Sequence, residues 1–117
     1  MQNINFSTNW NEKLSGRCFT SLRIHNENKY VVGQAYTVVL NGKALGIARL
    51  IKIQYLHLRH INDWVGGIDT GYTGLETQQI LKRMYIKKNI NWETQLFDYM
   101  LFRYEVKSPS TQCTSPV

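Results

Sequence analysis

Cysteine, proline and acidic residues are all scarce in this chain, and each shortage closes off a class of protein. Cys18 and Cys113 are its two cysteines, too few for the disulfide framework of a small secreted domain, so both read as reduced thiols. The two prolines, Pro109 and Pro116, stand in the last eleven residues, so nothing before them carries the rigid punctuation of a proline-rich linker. No stretch approaches the roughly 18 apolar residues of a membrane span, and the start has neither the basic nor the apolar region of a signal peptide. The expectation is a cytoplasmic protein without a membrane partner. Acidic side chains number 8 against 14 Lys and Arg, a net charge of +6, and such an excess favours polyanionic partners.

What is present is enough for one core. The chain has 117 residues, 43% of them hydrophobic, which suits a single domain and excludes disorder for most of its length. The reading is one domain over residues 1–106 and a disordered tail over 107–117, where Ser, Thr and both prolines gather without apolar periodicity.

Ile4 to Ser7 reads as a short strand. Thr8 then suits the cap of a short helix carrying Trp10, Asn11 and Lys13 and stopping at Gly16. Phe19 to Ile24 alternates, with Phe19, Ser21 and Arg23 on one side and Thr20, Leu22 and Ile24 on the other. A strand over about Gln34 to Leu40 meets Asn41-Gly42, a strong hairpin signal because a type I′ turn needs positive φ at both central positions. The next strand runs from about Ala44 to Tyr55, with a bulge expected near Arg49. His57 to Trp64 suits a short helix closed by Gly66-Gly67. Thr73-Gly-Leu-Glu76 has the form of a capping box for a helix reaching about Tyr85, and Leu96 to Val106 reads as an interior strand. Strands outnumber helices, so the fold class is α+β, mainly β: a small curled antiparallel or mixed sheet or barrel with two or three helices.

Four groups carry possible chemistry. Gly16, Arg17, Cys18, Ser21 and Arg23 combine a glycine for close backbone approach with a hydroxyl and a guanidinium suited to a phosphate or carbonyl oxygen. The segment from Gly66 to Tyr72 reads as a glycine-rich loop. In it Asp69 serves as base or acceptor, Thr70 supplies a hydroxyl and Tyr72 stacks on a ring, or Asp69 merely satisfies its own turn. Lys82, Arg83, Lys87 and Lys88 gather at the end of the long helix, where cations complement the dipole or contact phosphates. His57, His60 and Asp63 at steps of three have metal-ligand character but no fourth ligand, so no metal is expected, nor any cofactor. Cys18 and His25 lie too far apart along a strand to act together, which leaves Cys18 as a small packing residue.

The ordered series Trp10-Asn11, Lys13-Leu14, Gly16, Thr20-Ser21-Leu22-Arg23, Tyr30, Val32-Gly33 and Tyr36 resembles the ASCH domain of the PUA-like superfamily. Ala48-Arg49, Ile51-Lys52-Ile53, Asp69-Thr70-Gly71-Tyr72, Glu76 and Met84-Tyr85 continue the likeness. The resemblance implies a small β-barrel flanked by helices, with a cleft for RNA or a nucleotide-like ligand. It also implies, for some members, an amidohydrolase acting on acetylated cytidine through a Lys, a Thr and a Glu. Here Cys18 matches the lysine, Ser21 the threonine and Asp69-Thr70 the acid, while Arg23 matches the signature arginine. A thiol offers no ammonium, so a binding module is the expected function. The alternative is an amide hydrolase with Ser21 as nucleophile or oxyanion donor and Asp69 as base.

Overall fold

The computed structural model describes residues 1–107; the tail expected to be disordered and Cys113 lie outside them, apart from Lys107 itself. In chain order the elements are β1 (Gln2–Phe6), a 3-10 segment (Trp10–Ser15), β2 (Cys18–Ile24), β3 (Ala35–Leu40) and β4 (Lys43–His57). A single 3-10 turn (Leu58–His60), α1 (Asp63–Asp69), α2 (Gly74–Met84) and β5 (Leu96–Lys107) follow.

The five strands form one mixed sheet in the order β1-β3-β4-β5-β2. The Asn41-Gly42 turn, with φ of 50° and 81°, joins β3 to β4 as an antiparallel hairpin. β1 pairs with β3 in parallel, and β5 inserts antiparallel between β4 and β2. Register shifts between Ile47 and Ala48 and between Leu50 and Lys52 bracket Arg49, and such bulges increase the local twist and bend the strand. The long fourth strand therefore curls the sheet into a half-barrel. Its two ends, β1 and β2, are the unpaired edges.

Two apolar clusters cover the two faces. Phe19, Tyr36, Leu50, Met100 and Phe102 fill the concave side, with Phe19 stacked on Phe102 at 5.2 Å between centroids and Tyr36 edge-on to Phe102 at 5.7 Å. Leu22, Leu58, Ile61, Leu81 and Phe97 pack under the helices on the other side. β2 contributes to both, so from Phe19 to Leu22 both of its faces are covered, and even Ser21 is 2% exposed.

Several local expectations give way here. Thr8 does not cap the first helical segment; Asn9 precedes it, and its Oδ1 accepts from the Leu14 amide at 2.9 Å. The segment is not one regular helix either, because Asn11 and Glu12 adopt left-handed φ of 55° and 51° and kink it. Gly66 and Gly67 lie inside α1 instead of closing a helix, so most of the expected loop up to Tyr72 is helical. Gly66 is there for packing: a Cβ would come within 2.6 Å of Thr77 Oγ1 and 2.8 Å of the Thr73 carbonyl, contacts that let α1 lie directly on the start of α2. The Thr73 capping box forms as read, with the Thr73 amide donating to Glu76 at 3.0 Å and the Glu76 amide to Thr73 at 3.2 Å. Cys18, expected as a packing residue, is exposed.

Candidate functional site

The cleft lies along the open edge of β2, where the half-barrel fails to close against β1. Hydrogen bonds from the His25 amide to Leu96 and from the Tyr104 amide to Arg17 show that odd positions of β2 face β5. By antiparallel alternation the N–H and C=O groups of Thr20 and Leu22 face the open edge. The rest of the wall comes from the end of β1, the 3-10 segment and the two helices. Together they enclose about 70 Å³ lined by Phe6, Lys13, Ser21, Arg23, Asp69 and Thr70, among others, which is room for a small polar group.

At its floor is a buried ion pair. Lys13 Nζ donates to Asp69 Oδ1 at 2.9 Å, with the two side chains only 7% and 6% exposed, and Thr20 Oγ1 donates to the same oxygen at 2.8 Å. Lys13 therefore uses one of its three N–H bonds on the described residues. Burial lowers its affinity for the proton below the ordinary lysine value; the Asp69 charge and hydrogen bond oppose that, and Arg23 adds to it. Behind Thr20, the Tyr99 phenol is raised first by burial and then by the Asp69 charge, against a hydrogen bond with Thr20. Asp69, expected as a free base or turn acceptor, is thus the acceptor of a buried polar network.

At the seam, the Arg23 guanidinium lies 4.6 Å over the Phe6 ring. Its Nε donates to Ser21 Oγ at 2.9 Å and one terminal nitrogen to the Asn5 carbonyl at 2.6 Å. Arg23 thereby laces β2 to β1 where no backbone pairing exists. Ser21 accepts that bond, and no histidine or carboxylate lies within hydrogen-bond reach of it among the described residues. The Thr70 hydroxyl is engaged internally with the Gly66 carbonyl at 3.0 Å and Thr77 at 2.8 Å.

Tyr72 stands outside the cleft, edge-on to Trp10 at 6.1 Å. Together with Glu76, Gln79, Ile80 and Arg83 these rings border a groove of about 270 Å³. Trp10 and Ile80 belong to both hollows, so the groove continues the cleft outward. Of the basic cluster, Arg83 lines this groove; Lys82, Lys87 and Lys88 are exposed around the end of α2 without lining either hollow.

The residues just before Ser21 are not brought to the cleft. Gly16 ends the 3-10 segment by donating to the Lys13 carbonyl at 3.1 Å. Arg17 lines a separate hollow of about 180 Å³ with Tyr104, Glu105 and Lys107. Cys18 starts β2 and His25 follows its far end, where His25 Nδ1 meets the buried Asp98 at 2.7 Å. His60 Nδ1 accepts from the His57 amide at 3.3 Å, and the Asp63 carboxylate caps the Gly74 amide at 2.8 Å. Among the described residues no group of three His, Cys, Asp or Glu side chains is placed to hold a metal ion.

Lys13, Thr20 and Trp10 are the site residues that the motif reading passed over as such. Their sequence signal was a place in the ordered series that carries the family resemblance, with no role attached. Nothing local marks Lys13 as buried, because its partner Asp69 lies 56 residues away.

Comparisons with known proteins bear on the fold. No family model matches the chain, and no curated protein matches it. Among solved structures, the crystal structure of protein EF3133 from Enterococcus faecalis V583, described under the family-model DUF984, superposes with a TM-score of 0.66 at 14% identity. The match covers 93% of this chain and 83% of that one. It is a likeness of fold.

Proposed function

We propose that the protein is a small ASCH-like binding module whose cleft and outer groove hold a nucleotide-like ligand, either free or within single-stranded RNA. One observation carries this reading: a pocket with the Lys13 ammonium at its floor and the Arg23 guanidinium at its seam shares Trp10 and Ile80 with a groove that Tyr72 and Arg83 also border. Donors at the floor suit a carbonyl or anionic oxygen, and the aromatic rim suits a planar base, a surface on which stacking contributes about 1–3 kcal/mol per base. The net charge of +6 fits the same class of ligand.

Titration of fluorescent single-stranded RNA and of nucleoside monophosphates at two salt concentrations tests it. Weak binding that falls steeply with salt is expected, with roughly tenfold loss for Tyr72→Ala or Arg83→Ala. Charge reversal at Lys82, Lys87 and Lys88 weakens RNA more than a mononucleotide, since those side chains lie beyond the hollows. Absence of binding at low salt refutes the reading.

A second reading, hydrolysis of an amide on an acylated nucleobase such as acetylated cytidine, is favoured by one specific feature. The ammonium that Cys18 fails to supply is available from Lys13, beside Asp69 and Thr20. Against it stands Ser21, which lacks a base to activate it. Incubation with acetylated cytidine followed by chromatography is expected to give turnover near background. Brisk turnover abolished by Lys13→Met or Asp69→Asn promotes the enzyme.

A further inference from the structure

Among the eight lysines of the chain, Lys13 alone is held in a polar cleft against a carboxylate. Its side chain is 7% exposed, yet it lines the cleft beside Ser21 and Arg23. The Phe6 ring lies 5.7 Å from its Nζ, and two of its N–H bonds donate to no protein oxygen or nitrogen among the described residues. An ion pair fully spent on its own network would not leave hydrogen-bond donors unused at the wall of a hollow. An amine stripped of water, with an acid in hydrogen-bond contact, has the two features that make a lysine a carbonyl nucleophile.

We infer that Lys13 is a covalent attachment point for a carbonyl compound, its amine condensing in the cleft with an aldehyde carried on a planar, anionic molecule. The inference rests on the preceding reading for the cleft's being a ligand site, but not for the ligand's being a nucleotide.

The steps balance within the groups present. The Lys13 ammonium passes a proton along its 2.9 Å hydrogen bond to Asp69 Oδ1, leaving a neutral amine and a carboxylic acid. The nitrogen lone pair adds to the carbonyl carbon, forming C–N while the carbonyl π pair moves onto oxygen. That oxygen takes a proton from Asp69, and the nitrogen returns one to the Asp69 carboxylate, to give a neutral carbinolamine. Asp69 then protonates the hydroxyl as the nitrogen lone pair forms the C=N bond and the C–O bond breaks; water leaves, and a protonated imine remains beside the Asp69 carboxylate. Thr20, donating to Asp69 at 2.8 Å, steadies the carboxylate through both transfers. Arg23 at the seam and Arg83 in the groove suit the ligand's anionic group, and Trp10 and Tyr72 its ring.

Burial helps in a second way. It holds the Lys13 amine below the usual lysine value, against the raising effect of Asp69 and with the Arg23 charge acting in the same direction as burial. At a given pH more of Lys13 is neutral than of a solvated lysine, and only the neutral amine adds.

The test uses the unmodified full chain with pyridoxal 5′-phosphate, which joins an aldehyde, an aromatic ring and a phosphate. After brief exposure at one molar equivalent, borohydride reduces the imine to a stable amine, and peptide mass spectrometry maps the adduct. Lys13 is expected to be modified at least tenfold faster than any other lysine, and phosphate-free pyridoxal to lose most of that preference. Lys13→Arg, which keeps the cation opposite Asp69, removes the selective adduct while circular dichroism stays that of the parent. Labelling spread over the surface lysines with Lys13 no faster overturns the inference. Nucleotide binding measured in parallel separates the two readings: binding without a Lys13 adduct sinks this one alone, and an adduct without nucleotide binding sinks the other.

Discussion

Asp69→Ala is expected to destabilise the fold by about 3–5 kcal/mol, because it leaves the largely buried Lys13 ammonium without its carboxylate. The loss is not that of a surface ion pair, which contributes about 0–1 kcal/mol; both partners are more than nine-tenths buried. A double change, Lys13→Met with Asp69→Leu, removes both charges and is expected to melt near the parent or above it. Urea titrations of the three proteins decide the matter, and an Asp69→Ala midpoint within error of the parent contradicts the account of the cleft floor. The pH dependence has a definite sign. Burial depresses Lys13 below its unfolded value of 10.5, so within that interval the unfolded chain binds more protons than the folded one. Stability contributed by this group therefore rises with pH from the depressed folded value up to 10.5. Once Asp69 no longer opposes the depression, that interval widens downward, and Asp69→Ala loses less at pH 9 than at pH 6.

Phe102→Ala is the other large effect. The ring is fully buried, stacked on Phe19 with 12° between planes and met edge-on by Tyr36. Deleting a core phenylalanine costs about 3–5 kcal/mol, against a total stability of about 5–15 kcal/mol for a domain of this size. Thermal and urea melts are expected to show a fall of that order, with Phe102→Leu losing less because it refills part of the space. The consequence reaches the cleft. Phe102 sits opposite Phe19 on β5, two residues along β2 from Ser21, so the proposed binding of a nucleotide-like ligand is expected to weaken together with stability. A Phe102→Ala protein as stable as the parent shows that the concave cluster is not the core it is described to be.

How far the sequence reveals this depends on the range over which each signal acts. Asn41-Gly42 and the Thr73 to Glu76 box are set by backbone needs a few residues long, and both form as read. The mixed, curled sheet with its bulges around Arg49 likewise follows from alternation that one parity break interrupts. Gly66-Gly67 misleads because a glycine pair signals both a chain stop and a helix crossing; the reason for Gly66 is Thr77 on α2, which no local pattern reveals. Thr8 and Asn9 are both competent caps by residue type, yet Asn9 holds the cap position and its side chain accepts from Leu14, beyond the first turn. The cleft is half legible. Ser21, Arg23 and Asp69 are singled out by residue type and strand parity, whereas Lys13 owes its character to desolvation by elements that meet it from 56 residues away. Cys18, picked out by its place in a motif, is at the exposed start of β2.

The sheet order has a temporal side. β2 forms one wall of the cleft, and among the described residues its one strand neighbour is β5, with Cys18 opposite Arg103 and Ile24 opposite Phe97. During synthesis β2 emerges early and must wait for nearly the whole remaining sheet before it can pair. The β3–β4 hairpin, joined by two residues, closes without that delay. Because loop-closure entropy slows such distant pairings, the hairpin is poised to nucleate and the cleft wall to dock late. A nascent chain halted before Leu96 would carry β2 with both edges bare, in the condition most open to capture by a chaperone or by another unfinished copy.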